Sequence, residues 1–272
     1  MPRIAVALEY DGSGFAGWQS QAHAPSVQDA AQAALAAVAA EPVQLVCAGR
    51  TDAGVHAAGQ VAHFDTGAVR SERAWMLGAN SHLPPTVSVA WARVVPAHFH
   101  ARHSAEARTY CYIILNRPAR SALAGGRATL IHGTLDEARM SEAAALLLGE
   151  HDFSAFRAAE CQSRTPVRHL TELVVRREAD RIVIRATANA FLHHMVRNLA
   201  GALIAVGQGK APPGWVRELL ESRDRRRGAP TAPAQGLYFW QVHYPTAFAL
   251  PGPPAASDPS SAMMPHCLAA HG

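Results

Sequence analysis

From Arg3 to Glu9 the chain alternates, with Ile4, Val6 and Leu8 on one side, the period of a half-buried strand. A glycine-rich turn over Asp11 to Gly17 ends it. Ser26 then stands where a helix N-cap belongs, with Asp29 three residues on, and Val27, Ala30, Ala31, Ala34, Leu35 and Val38 form an apolar helical stripe that Pro42 closes. Residues 43–48 and 60–65 read as strands, 72–82 as a helix and 87–95 as a strand. The same order recurs downstream: a strand at 109–115, a helix at 140–148, strands at 170–176 and 181–188, a helix at 191–206 and a strand at 237–244. A repeated β-α-β-β-α-β pattern predicts an α+β protein, two ferredoxin-like halves whose sheets join into one mixed, largely antiparallel sheet with a central cleft. The halves are placed at 1–104 and 105–246. Beyond Pro245 the proline-rich stretch Pro251, Pro253, Pro254, Pro259 and Pro265, set among Ala, Ser and Gly, predicts a disordered tail over 247–272.

At 272 residues the chain is long enough to bury a core without staples. Its four cysteines, Cys47, Cys111, Cys161 and Cys267, are scattered with no C-x-x-C pair, which points to neither zinc nor disulfides. Neither a signal peptide nor an apolar run of membrane-spanning length is visible, so a cytoplasmic protein is expected. The formal net charge is only +4, but Lys210 is the sole lysine among 25 basic residues. Arginine's planar fork suits phosphate, so an RNA ligand is in keeping with this bias, as is plain codon usage.

The polar island Ala48-Gly49-Arg50-Thr51-Asp52-Ala53-Gly54-Val55-His56-Ala57 lies between two apolar strands and reads as a loop that glycines allow to turn sharply. In an extended stretch Arg50 and Asp52 point to the same side, where the guanidinium would hold the carboxylate ionised and ready to act as a nucleophile. An ordinary loop aspartate bonded to its own backbone is the bland counterpart.

This island resembles the G-R-T-D-A-G-V-H-A signature of the tRNA pseudouridine synthase A family, with Asp52 at the position of the nucleophilic aspartate. Further similar stretches follow in order: Glu9-Tyr10-Asp11-Gly12-Ser13 with Gly17-Trp18-Gln19, then Asn80 with Leu83-Pro84, then Phe99-His100-Ala101-Arg102 leading to Arg108-Thr109-Tyr110-Cys111-Tyr112. His151-Asp152-Phe153, Cys161-Gln162-Ser163-Arg164-Thr165, Ala190 to Asn198 and Thr231 to Leu237 complete the set. His103 departs from the pattern, standing where an aromatic or apolar residue is expected.

The resemblance implies an isomerase that converts uridine to pseudouridine at positions 38, 39 and 40 of the tRNA anticodon stem-loop, acting as a homodimer in which one tRNA spans both subunits. The reaction is redox-neutral and calls for neither cofactor nor metal. Asp52 would form a transient covalent bond, with attack at C1′, attack at C6 of the uracil and prior elimination all open to it. The target base must be flipped out of its stack. Arg50 would pair with Asp52 and fill the gap left in the RNA, and Tyr110 would stack on the uracil or accept a proton. Tyr112, on the same strand face, reads as core. On a helix beginning at Phe191, His193 and Arg197 lie four apart and share a face, which puts Arg197 in the active-site wall.

Family membership further suggests Phe99, His100, Ala101, Arg102 and His103, and Cys161, Gln162, Ser163, Arg164 and Thr165, as tRNA-contacting residues. Basic residues also gather over Arg157 to Arg168. Arg223 with Arg225 to Arg227 is a denser run that reads first as a solvated helix end. Two other readings compete. Asp65-Thr66-Gly67 spells the aspartic protease D-T-G, with Asp52 as a second carboxylate, and paired ferredoxin-like halves also serve as non-catalytic RNA-binding modules.

Overall fold

The computed structural model describes residues 1–252 and is an α+β fold of ten strands and five α-helices among them. The chain forms two compact units, one of Met1–Thr109 with the described residues from Tyr238 onward, the other of Tyr110–Leu237.

In the first unit β1 (Arg3–Tyr10) lies antiparallel between β3 (His56–Asp65) and β4 (Val87–Val95), and the two-residue β2 (Val46–Cys47) pairs with β3. The last strand, β10 (Leu237–His243), runs parallel to β3, with Tyr238 opposite His56. Helices α1 (Val27–Ala39) and α2 (Glu72–His82) each start on a serine, Ser26 accepting the Asp29 N–H and Ser71 the Ala74 N–H. Both caps satisfy backbone donors that have no partner within the helix. The apolar stripe of α1 buries Val27, Ala31, Ala34 and Leu35, and a Cβ on Gly78 of α2 would stand 2.8 Å from Val38, so the two helices meet closely there.

Two expectations shift here. The predicted strand at 43–48 shrinks to Val46–Cys47, since the Gln32 side chain takes the Leu45 N–H (3.0 Å) that a ladder would need. Conversely β3 begins at His56, so His56 and Ala57 belong to a strand and not to the polar loop; the parallel partner β10, far off in sequence, extends it.

The second unit orders its strands β5 (Ala107–Asn116), β9 (Arg181–Ala188), β8 (Val167–Glu178) and β7 (Gly149–Asp152), with the short β6 (Thr129–Ile131) parallel to β5. Helix α3 (Glu137–Ala145) is capped by Asp136 and ends sooner than the apolar run suggests, because the chain turns at Gly149 (φ +105) into β7. Helix α4 (Met195–Gly207) is buried over most of its length, and α5 (Trp215–Ser222) follows. The predicted start of α4 at Phe191 is four residues early: His194 sits at φ 60 in the left-handed region, which no regular helix crosses. His193 therefore precedes the helix, and the shared face expected for His193 and Arg197 does not exist.

Of the predicted tail, Thr246–Phe248 forms a 3-10 turn, and residues 253–272 lie outside the described residues. No helix among the described residues is long and apolar enough to cross a membrane.

The segment between β1 and α1 is built against the loop between β2 and β3. At Gly17 the backbone adopts φ +104, and a Cβ there would meet the Thr51 carbonyl oxygen at 2.6 Å and the Asp52 carbonyl carbon at 3.1 Å. A Cβ on Gly12 would fall 2.0 Å from the Val55 carbonyl oxygen. Neither position admits a side chain, since the obstacle is backbone on both counts. Replacing Gly17 with Ala combines a positive φ with a main-chain collision, and should destabilise the protein by roughly 3 kcal/mol or more; urea unfolding of the variant checks this, and a midpoint equal to wild type would contradict it.

The ring of His63 on β3 is only 4% exposed and its Nδ1 accepts the Ala101 N–H at 3.1 Å. Burial, then the charges of Arg3 and His100, pull its pKa down to about 4. The unfolded chain, with an ordinary imidazole near 6.5, thus binds more protons than the folded one between those values. Stability is full above about pH 6.5 and falls as pH drops towards 4, by up to about 3 kcal/mol from this group. His63→Asn, whose Oδ1 can take the same N–H, should flatten that part of the decline in a series of melting temperatures from pH 7.5 to 4.5; an unaltered pH dependence would remove His63 as its source.

Candidate active site

The loop that carries Asp52 is held by its main chain. Trp18 N–H donates to the Thr51 carbonyl (3.0 Å), Gly54 N–H to that of Phe15 (3.3 Å), and Val55 N–H closes a tight turn on the Asp52 carbonyl (3.1 Å). The Thr51 hydroxyl shares a hydrogen bond of 2.8 Å with the buried Tyr10 hydroxyl. Gly54, at φ 75, supplies the sharp turn expected of it. Behind the loop, His56 is almost wholly buried. Its Nδ1 accepts the Gly12 N–H (3.1 Å) and lies 3.3 Å from the Asp11 carboxylate, and its ring stacks on Tyr238 at 4.7 Å. Nothing in the sequence pattern singled out His56 or Tyr10 as supports for this loop. Thr51 and Val55 are buried while Asp52 between them is half-exposed, so the carboxylate stands at the surface of its unit on a rigid base.

Arg50 is exposed. Its charge and that of Arg102 both act on the Cys47 thiol, whose pKa burial pushes up to about 11 against their opposing pull. The stretch from Phe99 to His103 is thus brought near the same loop. Within it, Phe99 and Ala101 are sealed in: Arg3 donates to the Phe99 carbonyl (2.7 Å), and Tyr244 to that of Ala101 (2.6 Å). His100 is half-buried, with its Nδ1 accepting the N–H groups of Arg102 (3.1 Å) and His103 (3.2 Å). Arg102 and His103 face solvent. Arg108 reaches the carbonyls of Arg102 (2.5 Å), Ala105 (3.2 Å) and Ala48 (3.4 Å), tying this turn to the start of the loop that carries Asp52.

The protease reading fails on geometry. Asp65 is gripped by the Arg3 guanidinium through two bonds of 2.8 and 2.7 Å, which holds its carboxyl below the usual range. Thr66 and Gly67 are bonded to Glu41. Asp65 closes the ten-residue β3 and Asp52 lies before its start, with roughly 30 Å of extended strand between them, so they cannot share a proton.

In the second unit Tyr110 is half-buried on β5 and packs edge-on against Phe191, with ring centroids 5.0 Å apart. Tyr112 is core, as its position predicts: it is fully buried, bonded to Thr129 (2.6 Å) and to the Pro233 carbonyl (2.9 Å), and burial pushes its phenol up to about 12. Arg197 is half-buried in the first turn of α4, its Nε donating to the Ala232 carbonyl at 2.8 Å. Cys161 and Ser163 are half-buried, and Gln162, Arg164 and Thr165 are exposed.

Within the basic stretch from Arg157, Arg168 corrects the expectation of a phosphate contact. It is 8% exposed, and its guanidinium is spent on the Ser163 hydroxyl (2.6 Å) and on the carbonyls of Thr165 (3.0 Å) and Val167 (2.5 Å). Sequence reasoning also passed over Asn198, which is 3% exposed and bonds Phe156, Arg225 and Thr231 at once.

A family model described as tRNA pseudouridine synthase matches residues 6–104 and 143–245. Among curated relatives, the tRNA pseudouridine synthase A of Methylococcus capsulatus is 58% identical over 248 residues, 91% of this chain and 92% of its own length. Those of Paraburkholderia phymatum and Burkholderia multivorans are 54% and 53% identical, each over 96% of this chain and 98% and 97% of their own. With its matching segments running through the Asp52 loop and α4, and relatives aligned over nearly their full length, the chain belongs to the tRNA pseudouridine synthase family, enzymes that isomerise uridine in tRNA.

Proposed function

We propose that this enzyme forms pseudouridine at positions 38, 39 and 40 of the tRNA anticodon stem-loop, with Asp52 as the nucleophile. The observation that supports the assignment of Asp52 is its footing: Thr51 and Val55 are buried and the loop backbone is fastened by the Trp18–Thr51, Gly54–Phe15 and Val55–Asp52 hydrogen bonds, while the one carboxylate in the turn is left half-exposed. A group held by packed main chain needs little reorganisation when a substrate arrives, which favours a covalent step.

In the reaction the C1′–N1 bond of the uridine breaks, the uracil turns, and C1′ bonds to C5. The C5 proton is lost and N1 gains one, so no oxidant or reductant is consumed. Asp52 holds the fragment covalently while the base turns, through C1′ or through C6. The base has to leave its stack first, at a cost of a few kcal/mol. Arg50, exposed beside the loop, is suited to occupy the space left in the RNA and to pair with Asp52. Tyr110, set edge-on by Phe191, stacks on the flipped uracil or accepts the C5 proton, a role that rests on the family resemblance, and Arg197, half-buried in the first turn of α4, is kept in the active-site wall on its own position and not on a face shared with His193.

The tRNA backbone is met by the outward side chains of the two suggested segments, Arg102 and His103 in one, Gln162, Arg164 and Thr165 in the other. Phe99 and Ala101 serve by shaping the turn from inside. A homodimer binding one tRNA across both subunits, working in the cytoplasm where tRNA is matured, completes the proposal.

Asp52→Asn, which keeps size and hydrogen bonding but removes the charge, should lower pseudouridine formation on unmodified tRNA transcripts by at least about a thousandfold while leaving tRNA binding intact. Sustained turnover by the variant would overturn the assignment. Arg102→Ala and Arg164→Ala should each weaken tRNA binding and reduce the slope of log K against log salt by about one; a slope equal to wild type in a salt titration would take that arginine out of the interface.

A further inference from the structure

The run Arg223-Asp224-Arg225-Arg226-Arg227 reads in sequence as a solvated helix end, and for Arg226 that is correct: it is exposed and doubly bonded to Asp224 at 3.0 and 2.9 Å. Arg225 differs. The 3-10 turn over Arg225–Arg227 points its guanidinium inward, where NH2 donates to the Asn198 side-chain oxygen (3.0 Å) and the Thr231 hydroxyl (3.1 Å). Asn198 is itself fastened, donating to the Phe156 carbonyl at 2.8 Å and accepting from Thr231 at 2.7 Å, so this edge of the fork is fixed. Among the described residues no carboxylate lies within ion-pair distance of Arg225, and its NH1 makes no hydrogen bond. Burial alone shifts its pKa, downward, which marks a cation with no compensating charge nearby.

The half-buried guanidinium opens onto a hollow of about 540 Å³ in the second unit, whose other walls come from Ala158–Glu160 and Gly228–Thr231. Partly buried charges are ordinarily paired, because desolvation is costly. A positioned, oriented arginine without an acid is therefore set for an anion from outside, and its planar fork matches phosphate oxygens. No Phe, Tyr or Trp lines the hollow and His194 is the one aromatic ring in its lining, so the small walls of Ala158, Ala159, Ala229 and Pro230 leave room for a sugar–phosphate segment. Gly228 has ordinary backbone angles, yet a Cβ there would come 2.7 Å from Arg225 NH1, so the absence of a side chain at 228 leaves the guanidinium its position.

We propose that this hollow seats a phosphodiester group of bound tRNA, with the Arg225 guanidinium as its principal donor. The inference rests on tRNA being the substrate, and it adds a contact outside the segments named above. Glu160, exposed at the rim, opposes the phosphate and sets a limit on affinity.

The test is binding of unmodified tRNA transcript to the full chain, measured by fluorescence anisotropy across a salt series and separately from product formation. Arg225→Gln should weaken binding about fivefold or more near 100 mM salt, lower the log–log salt slope by about one, and raise KM more than it lowers kcat. Gly228→Ala, which displaces the guanidinium without changing charge, should weaken binding in the same direction, and Glu160→Gln should tighten it. If Arg225→Gln melts early, Gly228→Ala decides: unchanged affinity in a folded variant overturns the proposal.

Affinity and slope equal to wild type in folded Arg225→Gln overturn it as well, as does a loss confined to kcat. So does inorganic phosphate that binds the wild-type chain through Arg225 without competing with tRNA at constant ionic strength, which would make the hollow a site for free anions. A chain that binds tRNA in this Arg225-dependent way yet forms no pseudouridine would sink the functional reading and support the phosphate site.

Discussion

The loop that carries Asp52 depends on main chain pressed against main chain. Gly12 and Gly17 let the segment after β1 lie directly on the backbone of residues 51–55, at distances that exclude even a methyl group. Because the contact is between peptide groups, it can be satisfied by hydrogen bonds, and it is: Trp18 to Thr51, Gly54 to Phe15, Gly12 to the buried His56 ring. Side-chain packing alone would leave these polar groups buried without partners, at a cost of kilocalories each. The result is a short polar loop as well anchored as a strand, with one carboxylate directed outward. A side chain so based needs little reorganisation to keep its place.

Arginine carries two distinct kinds of work here, and they divide by burial. Arg3, Arg108 and Arg168 spend their donors on backbone carbonyls of turns that would otherwise expose them, and Arg197 does the same for Ala232. Five fixed N–H groups make arginine suited to stitching irregular chain together, which a lysine ammonium does less well. Arg50, Arg102 and Arg164 face solvent instead. A basic, lysine-poor composition therefore reports structural stitching as much as affinity for nucleic acid. Arg225 is intermediate: one edge of its fork is structural, and the other is unspent.

Histidine shows the same division at β3. His56 and His63 both use Nδ1 as an acceptor for a distant backbone N–H, Gly12 in one case and Ala101 in the other. Each ring is a buried brace that links the strand to a functional turn. An acceptor role requires the neutral ring, which is why burial and the charges of Arg3 and His100, by depressing the pKa of His63, serve the fold near neutral pH.

What the sequence determined by itself were features set by local period and by a motif. The alternation in β1, the strands β4 and β9, the capped start of α1, the bounds of α2 and the family signature from Gly49 to His56 were all legible, since each is encoded within a window of about ten residues. The short strands β6 and β7 were not, because three or four residues carry no period, and neither was helix α5 behind its Pro212-Pro213 entrance. Only tertiary structure decided that β3 begins at His56, that α4 begins after a left-handed His194, that Arg168 is spent inside while Arg164 is not, and that Arg225 faces a hollow. Each of these turns on a contact that no local period encodes: β10 for His56, Tyr110 packed on Phe191 ahead of α4, Ser163 and Thr165 for Arg168, Asn198 and Thr231 for Arg225. A residue's type fixes which bonds it can make, but which of them it does make is settled by what the fold brings within about 3 Å of it.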